Sequence, residues 1–103
     1  MDVNINNEIV LYNVANMHLW TCMLDTAKDG SLIAKYYNDE GHYICWLRIY
    51  YRSDTLIELK GRYANADINC NFNLEECSDV EMISIIEQRL MMNLVDRIRT
   101  WII

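Results

Sequence analysis

Six side chains in this 103-residue sequence carry a thiol or an imidazole, groups that ligate zinc or pair as nucleophile and base: Cys22, Cys45, Cys70, Cys77, His18 and His42. No two cysteines form a C-x-x-C pair, the spacing that lets one turn of chain present two thiolates to zinc. His18-x3-Cys22 and His42-x2-Cys45 have offsets that could chelate. On a strand an odd offset sends two side chains to opposite faces, so His42 and Cys45 diverge, and only His18 and Cys22 can converge. No metal site is expected. For thiol catalysis only Cys77 is well placed, just ahead of a helix whose dipole lowers a thiol pKa. Its neighbours Glu75, Glu76 and Asp79 act in the opposite direction. The paired carboxylates Asp39/Glu40 and Glu75/Glu76 fall in turn-like segments, and G-x-G-x-x-G, P-loop, H-E-x-x-H and EF-hand patterns do not occur. The expectation is no catalytic residue, no cofactor and no enzyme.

The elements that would position any site are read most clearly from the C-terminal end. Ser78-Asp79-Val80-Glu81 is a capping box, with Cys77 and Met82 where a hydrophobic staple would sit. Acids open this segment and Arg97 and Arg99 close it, as a helix dipole favours. The spacing predicts a helix over 78–103, with Val80, Ile83, Ile86, Leu90, Leu94, Ile98 and Trp101 as its core stripe. Met91, Val95 and Ile102 lie on the shoulder of that stripe. A second, narrower stripe, Ile85, Met92 and Ile103, lies on the far side and is a candidate self-association surface.

Residues 31–73 predict four strands in an antiparallel meander. Leu32–Tyr37 is followed by the turn Asn38-Asp39-Glu40-Gly41 and then by His42–Arg52. In that strand Tyr43, Cys45, Leu47, Ile49 and Tyr51 share one face, and His42, Ile44, Trp46, Arg48, Tyr50 and Arg52 the other. A three-residue turn, pairing Tyr51 with Ile57 and Ile49 with Leu59, keeps the core face of the 55–63 strand apolar. Ala66–Asn73 alternates cleanly, with Ile68, Cys70 and Phe72 inward. Residues 8–25 are rich in Val, Ile, Leu, Tyr and Trp; two strands, Glu8–Val14 and Met17–Leu24, are the preferred reading, with a buried helix as the alternative. The fold expected is therefore one α+β domain, an antiparallel sheet of four to six strands with the long C-terminal helix packed on one face.

Charge separates along this chain. Fifteen acids against nine bases give −6, and residues 63–88 alone, with six acids and no base, account for it while the remainder cancels. Asp67, Glu75, Glu76, Asp79 and Glu81 are thus candidate contacts for a partner with a basic surface. The opposite feature is the outward hairpin face, Trp46, Arg48, Tyr50, Arg52, Lys60 and Arg62, which interleaves aromatic and basic groups. Such residue types dominate protein hot spots and could also stack single-stranded bases, although the overall acidity makes nucleic acid the weaker choice.

No apolar run approaches the ~20 residues a membrane helix needs, and the opening Met1-Asp2-Val3-Asn4 lacks a secretory n-region. A cytoplasmic protein with reduced thiols is expected. A short, acidic chain without catalytic motifs suits a non-enzymatic binding protein, a stoichiometric inhibitor that occludes a basic, nucleic-acid-handling partner such as a nuclease or defence effector. Toxin-immunity proteins and phage anti-defence proteins such as anti-CRISPRs share that general character. The alternatives are a structural homo-oligomer (a homodimer in its simplest form) and a single-stranded nucleic-acid binder acting through the 46–62 hairpin face.

Overall fold

The computed structural model describes the backbone of residues 3–102 and the side chains of residues 7–99. Its elements run α1 (Val3–His18), β1 (Thr21–Thr26), β2 (Leu32–Tyr37), β3 (Tyr43–Tyr51), β4 (Leu56–Tyr63), β5 (Ala66–Asn73) and α2 (Asp79–Ile102). The five strands form an antiparallel meander in the order β1-β2-β3-β4-β5. Both helices lie on one face, α1 over β1 and β2 and α2 over β4 and β5. This is the expected α+β fold, with the sheet's other face uncovered. Among the described residues no helix is long and apolar enough to cross a membrane.

Turn chemistry sets the register. The loops after β1 and β2 are built alike: Gly30 and Gly41, at φ 86° and 83°, donate to Ala27 O and Asn38 O, and each loop is closed by a further backbone bond. That left-handed position is one a side chain rarely adopts, so glycine marks both loops. Between β3 and β4, Ser53-Asp54-Thr55 forms the expected three-residue turn, and Tyr51 pairs with Ile57 and Ile49 with Leu59. The β4–β5 connection is tighter: Ala64 and Asn65, at φ 52° and 65°, make a two-residue turn without glycine.

Packing of the covered face follows from this register. Leu32, Ala34, Tyr36, Cys45, Leu47, Ile49, Ile57, Leu59, Ile68, Cys70 and Phe72 meet Val10, Leu11, Val14 and Ala15 of α1 and Met82, Ile86 and Leu90 of α2. Tyr36 is fully buried and its hydroxyl donates to Leu11 O at 2.9 Å, so its polar tip is satisfied inside the core. Gly61 faces Leu47 across the β3–β4 ladder; a Cβ there would come within 2.6 Å of both Leu47 Cδ2 and Trp46 O.

Three expectations are corrected. Residues 8–25 are not two strands: the chain is helical to His18 and only Thr21–Thr26 is a strand. The helix stop has no glycine signal. Leu19 takes φ 58°, Trp20 N–H donates to Ala15 O and Leu19 N–H to Asn16 O, a Schellman closure with leucine in the left-handed position. Tyr43, expected inward, is 54% exposed, because a register shift between Tyr36 and Tyr37 turns the start of β3 outward against the Tyr37 ring.

The third correction concerns α2. Its buried line is Met82, Ile86 and Leu90 with Ile83 half-buried, whereas Val80, Met91, Val95 and Ile98 are exposed. Asn93 explains the rotation: its amide donates to Tyr63 O at 3.2 Å and Ala66 O at 3.1 Å, so a polar side chain occupies the contact face at the β4–β5 turn. Past that turn the sheet ends, and Val95 and Ile98 have no strand beneath them. The capping box forms with a changed partner: Glu81 N–H donates to Ser78 Oγ at 3.2 Å, and the Ser78 hydroxyl donates to Glu81 Oε1 at 3.3 Å.

Candidate functional site: the open face of the sheet

Alternate residues of the same strands build the uncovered face, and the ladder arranges them in rows. One row runs Met23, Lys35, Trp46, Arg62, Asp67; the next runs Asp25, Ile33, Arg48, Lys60, Asn69; a third holds Tyr50, Glu58 and Asn71. The expected hairpin residues Trp46, Arg48, Tyr50, Arg52, Lys60 and Arg62 therefore do stand together.

Tyr50 is the centre of a cation cluster. Arg48 and Arg52 each place Cζ 4.8 Å from its ring centroid, and Lys60 Nζ is 5.7 Å away. Each arginine is held in turn by a carboxylate. Arg48 Nη2 lies 3.3 Å from Asp29 Oδ2 while its Nε donates to Ser31 Oγ at 2.8 Å. Arg52 Nε donates to Glu58 at 3.2 Å, and Arg62 Nη1 to Asp67 Oδ1 at 2.7 Å. Glu58 also lies 4.0 Å from Lys60. Hydrogen bonds from Ser31, then the Arg48 charge, hold Asp29 below the usual carboxylate range, and the Arg52 hydrogen bond does the same for Glu58.

Charge on this face nearly cancels: the bases Lys35, Arg48, Arg52, Lys60 and Arg62 stand among Asp25, Asp29, Glu58 and Asp67. A surface that tracks phosphates keeps its cations free to replace counterions, and here three of the five are arginines already bonded to carboxylates. Two open grooves flank the Lys35–Trp46 row. One, of about 220 Å³, is lined by Tyr43, Trp46, Arg62 and Arg97; the other, of about 320 Å³, by Met23, Ile33, Lys35 and Tyr37. These volumes lie at the small end for ligand pockets and match single side chains of a partner.

The acidic residues divide between two places. Asp67 opens β5 on the open face, bonded to Arg62, while Glu75 and Glu76 follow β5 and Asp79 and Glu81 form the first turn of α2. Six residues of extended strand, 68–73, carry the chain about 20 Å from Asp67 to the turn that holds Glu75. Leu74 N–H donates to Thr55 O, so Asp54 in the neighbouring turn joins the acids at that end of the sheet. Glu87, in the same acidic stretch, is turned inward against His18, 2.7 Å from its Nε2. Ile85 of the self-association stripe packs half-buried against the core, Met92 is 56% exposed, and Ile103 lies outside the described residues.

The thiols and imidazoles are differently employed. Burial pushes Cys22 up to about 11 and Cys45 up to about 12, and it raises Cys70 as well. At Cys77 burial and then Glu81 and Asp79 raise the thiol, outweighing its place before a helix. His18 stacks on Trp20 with ring centroids 4.2 Å apart and bridges α1 to α2 through Glu87, and sequence reading did not identify that contact. The offset of 69 residues leaves no local signal for it. No group of three or more His, Cys, Asp and Glu side chains able to hold a metal occurs among the described residues.

No family model matches this chain, and neither a curated protein nor a solved structure resembles it closely enough to mark a relative. The open face therefore has to be interpreted from its own chemistry.

Proposed function

We propose that this chain is a small non-enzymatic binding protein, a stoichiometric inhibitor that docks a partner protein on the open sheet face and occludes it. The observation that carries this reading is the Tyr50 cluster: an aromatic ring between two guanidinia that their own carboxylates hold in place. Tyr, Trp and Arg supply most of the energy at protein interfaces, and side chains already ordered lose little entropy on binding. The two grooves that flank the Lys35–Trp46 row offer room for protruding side chains. Asp54, Glu75, Glu76, Asp79 and Glu81 at one end, together with the net charge of −6, steer a partner with a basic rim, such as a nucleic-acid-handling enzyme.

Raised thiol pKa values and the engagement of His18 by Glu87 support the non-enzymatic part. Capture from a lysate of the source cells, by the tagged chain at low and high salt, tests the proposal. A single stoichiometric protein is expected, with slower association at high salt and for the Glu75→Lys/Glu76→Lys variant. Capture of nucleic acid instead, or of a protein indifferent to salt and to that variant, overturns the steering account.

A further inference from the structure

Among the described residues, the edge of the sheet at β5 is unpaired. Tyr63 and Ala66 flank a two-residue turn, and the closing pair of such a hairpin exchanges both its backbone bonds. Ala66, Ile68, Cys70 and Phe72 therefore turn their N–H and C=O toward β4, while Asp67, Asn69 and Asn71 turn theirs away from the sheet. Natural edges of this length are usually blunted by lysine, proline or a bulge, and β5 has none of the three. Among these residues the one charged side chain is Asp67, at one extremity of the strand.

Beside this edge runs the flank of α2 that faces away from α1. Glu87 touches α1 through His18, and at about 100° per residue Ile85 and Met92 fall across the helix from it. Asn93 fixes the helix over the β4–β5 turn, and Arg89 lies against Cys70 of β5. Ile85, Arg89 and Met92 thus border the same side of the molecule as the free backbone groups of β5.

We infer that this side is the interface with a second copy of the chain, joined by antiparallel β5–β5 pairing about a two-fold axis near Asn69. Self-complementarity carries the choice of occupant. Pairing Asn69 with Asn69 of the second copy sets Asp67 opposite Asn71, so no like charges meet across the new ladder. The same axis runs the two α2 helices antiparallel. It brings Ile85 toward Met92 of the second copy, and Glu81 of the acidic first turn toward Arg99 of the last, both on that same flank. One operation thus pairs the backbone edge, the apolar flank and Glu81 with Arg99, as an isologous contact requires, with the long Arg89 side chains of the two copies side by side at the axis. The result is a ten-stranded sheet whose two open faces point the same way. This inference stands apart from the proposed docking face, which uses the other side of the strands.

Sedimentation of the full chain across a concentration series tests it, with hydrogen exchange read at Asp67, Asn69 and Asn71. A monomer–dimer equilibrium is expected, with those three amides gaining protection as dimer forms. Met92→Glu, at an exposed position, and Asn69→Pro, which removes an outward N–H, should each weaken the dimer by about tenfold or more. Glu81→Arg should weaken it too, and adding Arg99→Glu should restore it. A chain monomeric throughout the series overturns the inference. So does a dimer that Met92→Glu and Asn69→Pro, shown folded by circular dichroism, leave intact.

Discussion

The two faces of this sheet come from alternate residues of the same strands and are held by different forces. On the covered face, residues such as Leu47, Ile49, Ile57 and Leu59 lie wholly out of water between the ladder and two helices. Their neighbours one position along, Trp46, Arg48, Tyr50 and Glu58, remain partly exposed, and Arg48, Tyr50 and Glu58 are ordered by ion pairs and cation–π contacts with Asp29, Arg52 and Lys60. Burial of apolar area is worth roughly 25 cal/mol per Å², whereas exposed ion pairs contribute about 0–1 kcal/mol each. The covered face therefore carries stability. The open face carries order at little energetic weight, as the docking role proposed for it requires.

The sharpest way to break that contrast is to truncate the covered face. Ile49→Ala should cost about 2–5 kcal/mol in chemical denaturation, since it removes fully buried atoms and leaves a cavity. Gly61→Ala comes next, at about 1–3 kcal/mol, because its Cβ meets Trp46 O and Leu47 Cδ2 where backbone has little room to yield. Ser78→Ala should cost about 1 kcal/mol through loss of the α2 cap, again read as a shift in the denaturation midpoint.

The open face has a smaller, pH-dependent signature. Asp29 and Glu58 have folded-state pKa values below their ordinary ones, so the stability they contribute is present above the ordinary carboxylate range. It is lost as pH falls through their lowered values. Thermal midpoints measured from pH 6 downward should fall less steeply for Asp29→Asn than for the parent chain. An unchanged slope would show that the Asp29–Ser31–Arg48 contacts are not formed in solution.

Legibility in the sequence followed the locality of the cause. β2 and β5, the three-residue β3–β4 turn and the capped start of α2 are written in alternation, turn residues and caps, all of which act within a few positions. α1 was misread because its apolar residues run nearly all the way round and its stop places Leu19, not glycine, in the left-handed conformation. Its helical state is settled by long-range contacts: Tyr36 donating to Leu11 O, and Asn7 Nδ2 donating to the Tyr51 hydroxyl at 3.3 Å. The turned face of α2 has the same origin, in Asn93 reaching carbonyls 27 and 30 residues away.

The site divided likewise. Period-two spacing alone placed Trp46, Arg48, Tyr50, Arg52 and Arg62 on one surface. The acidic run was contiguous in sequence, but β5 carries Asp67 to one end of the sheet and Glu75 to the other. Asp29 and Ser31, which hold Arg48, belong to a hairpin loop that no pattern linked to β3.

If the open face is the docking surface proposed above and the covered face holds the fold, the two must fail separately. The most direct test is a Trp46→Ala/Tyr50→Ala variant, measured in one preparation for its denaturation midpoint and for capture of the partner that the parent chain retains. The account predicts a folded protein, destabilised by no more than about 1–2 kcal/mol, that captures nothing. A variant that unfolds, or one that keeps its partner at parental affinity, would contradict it.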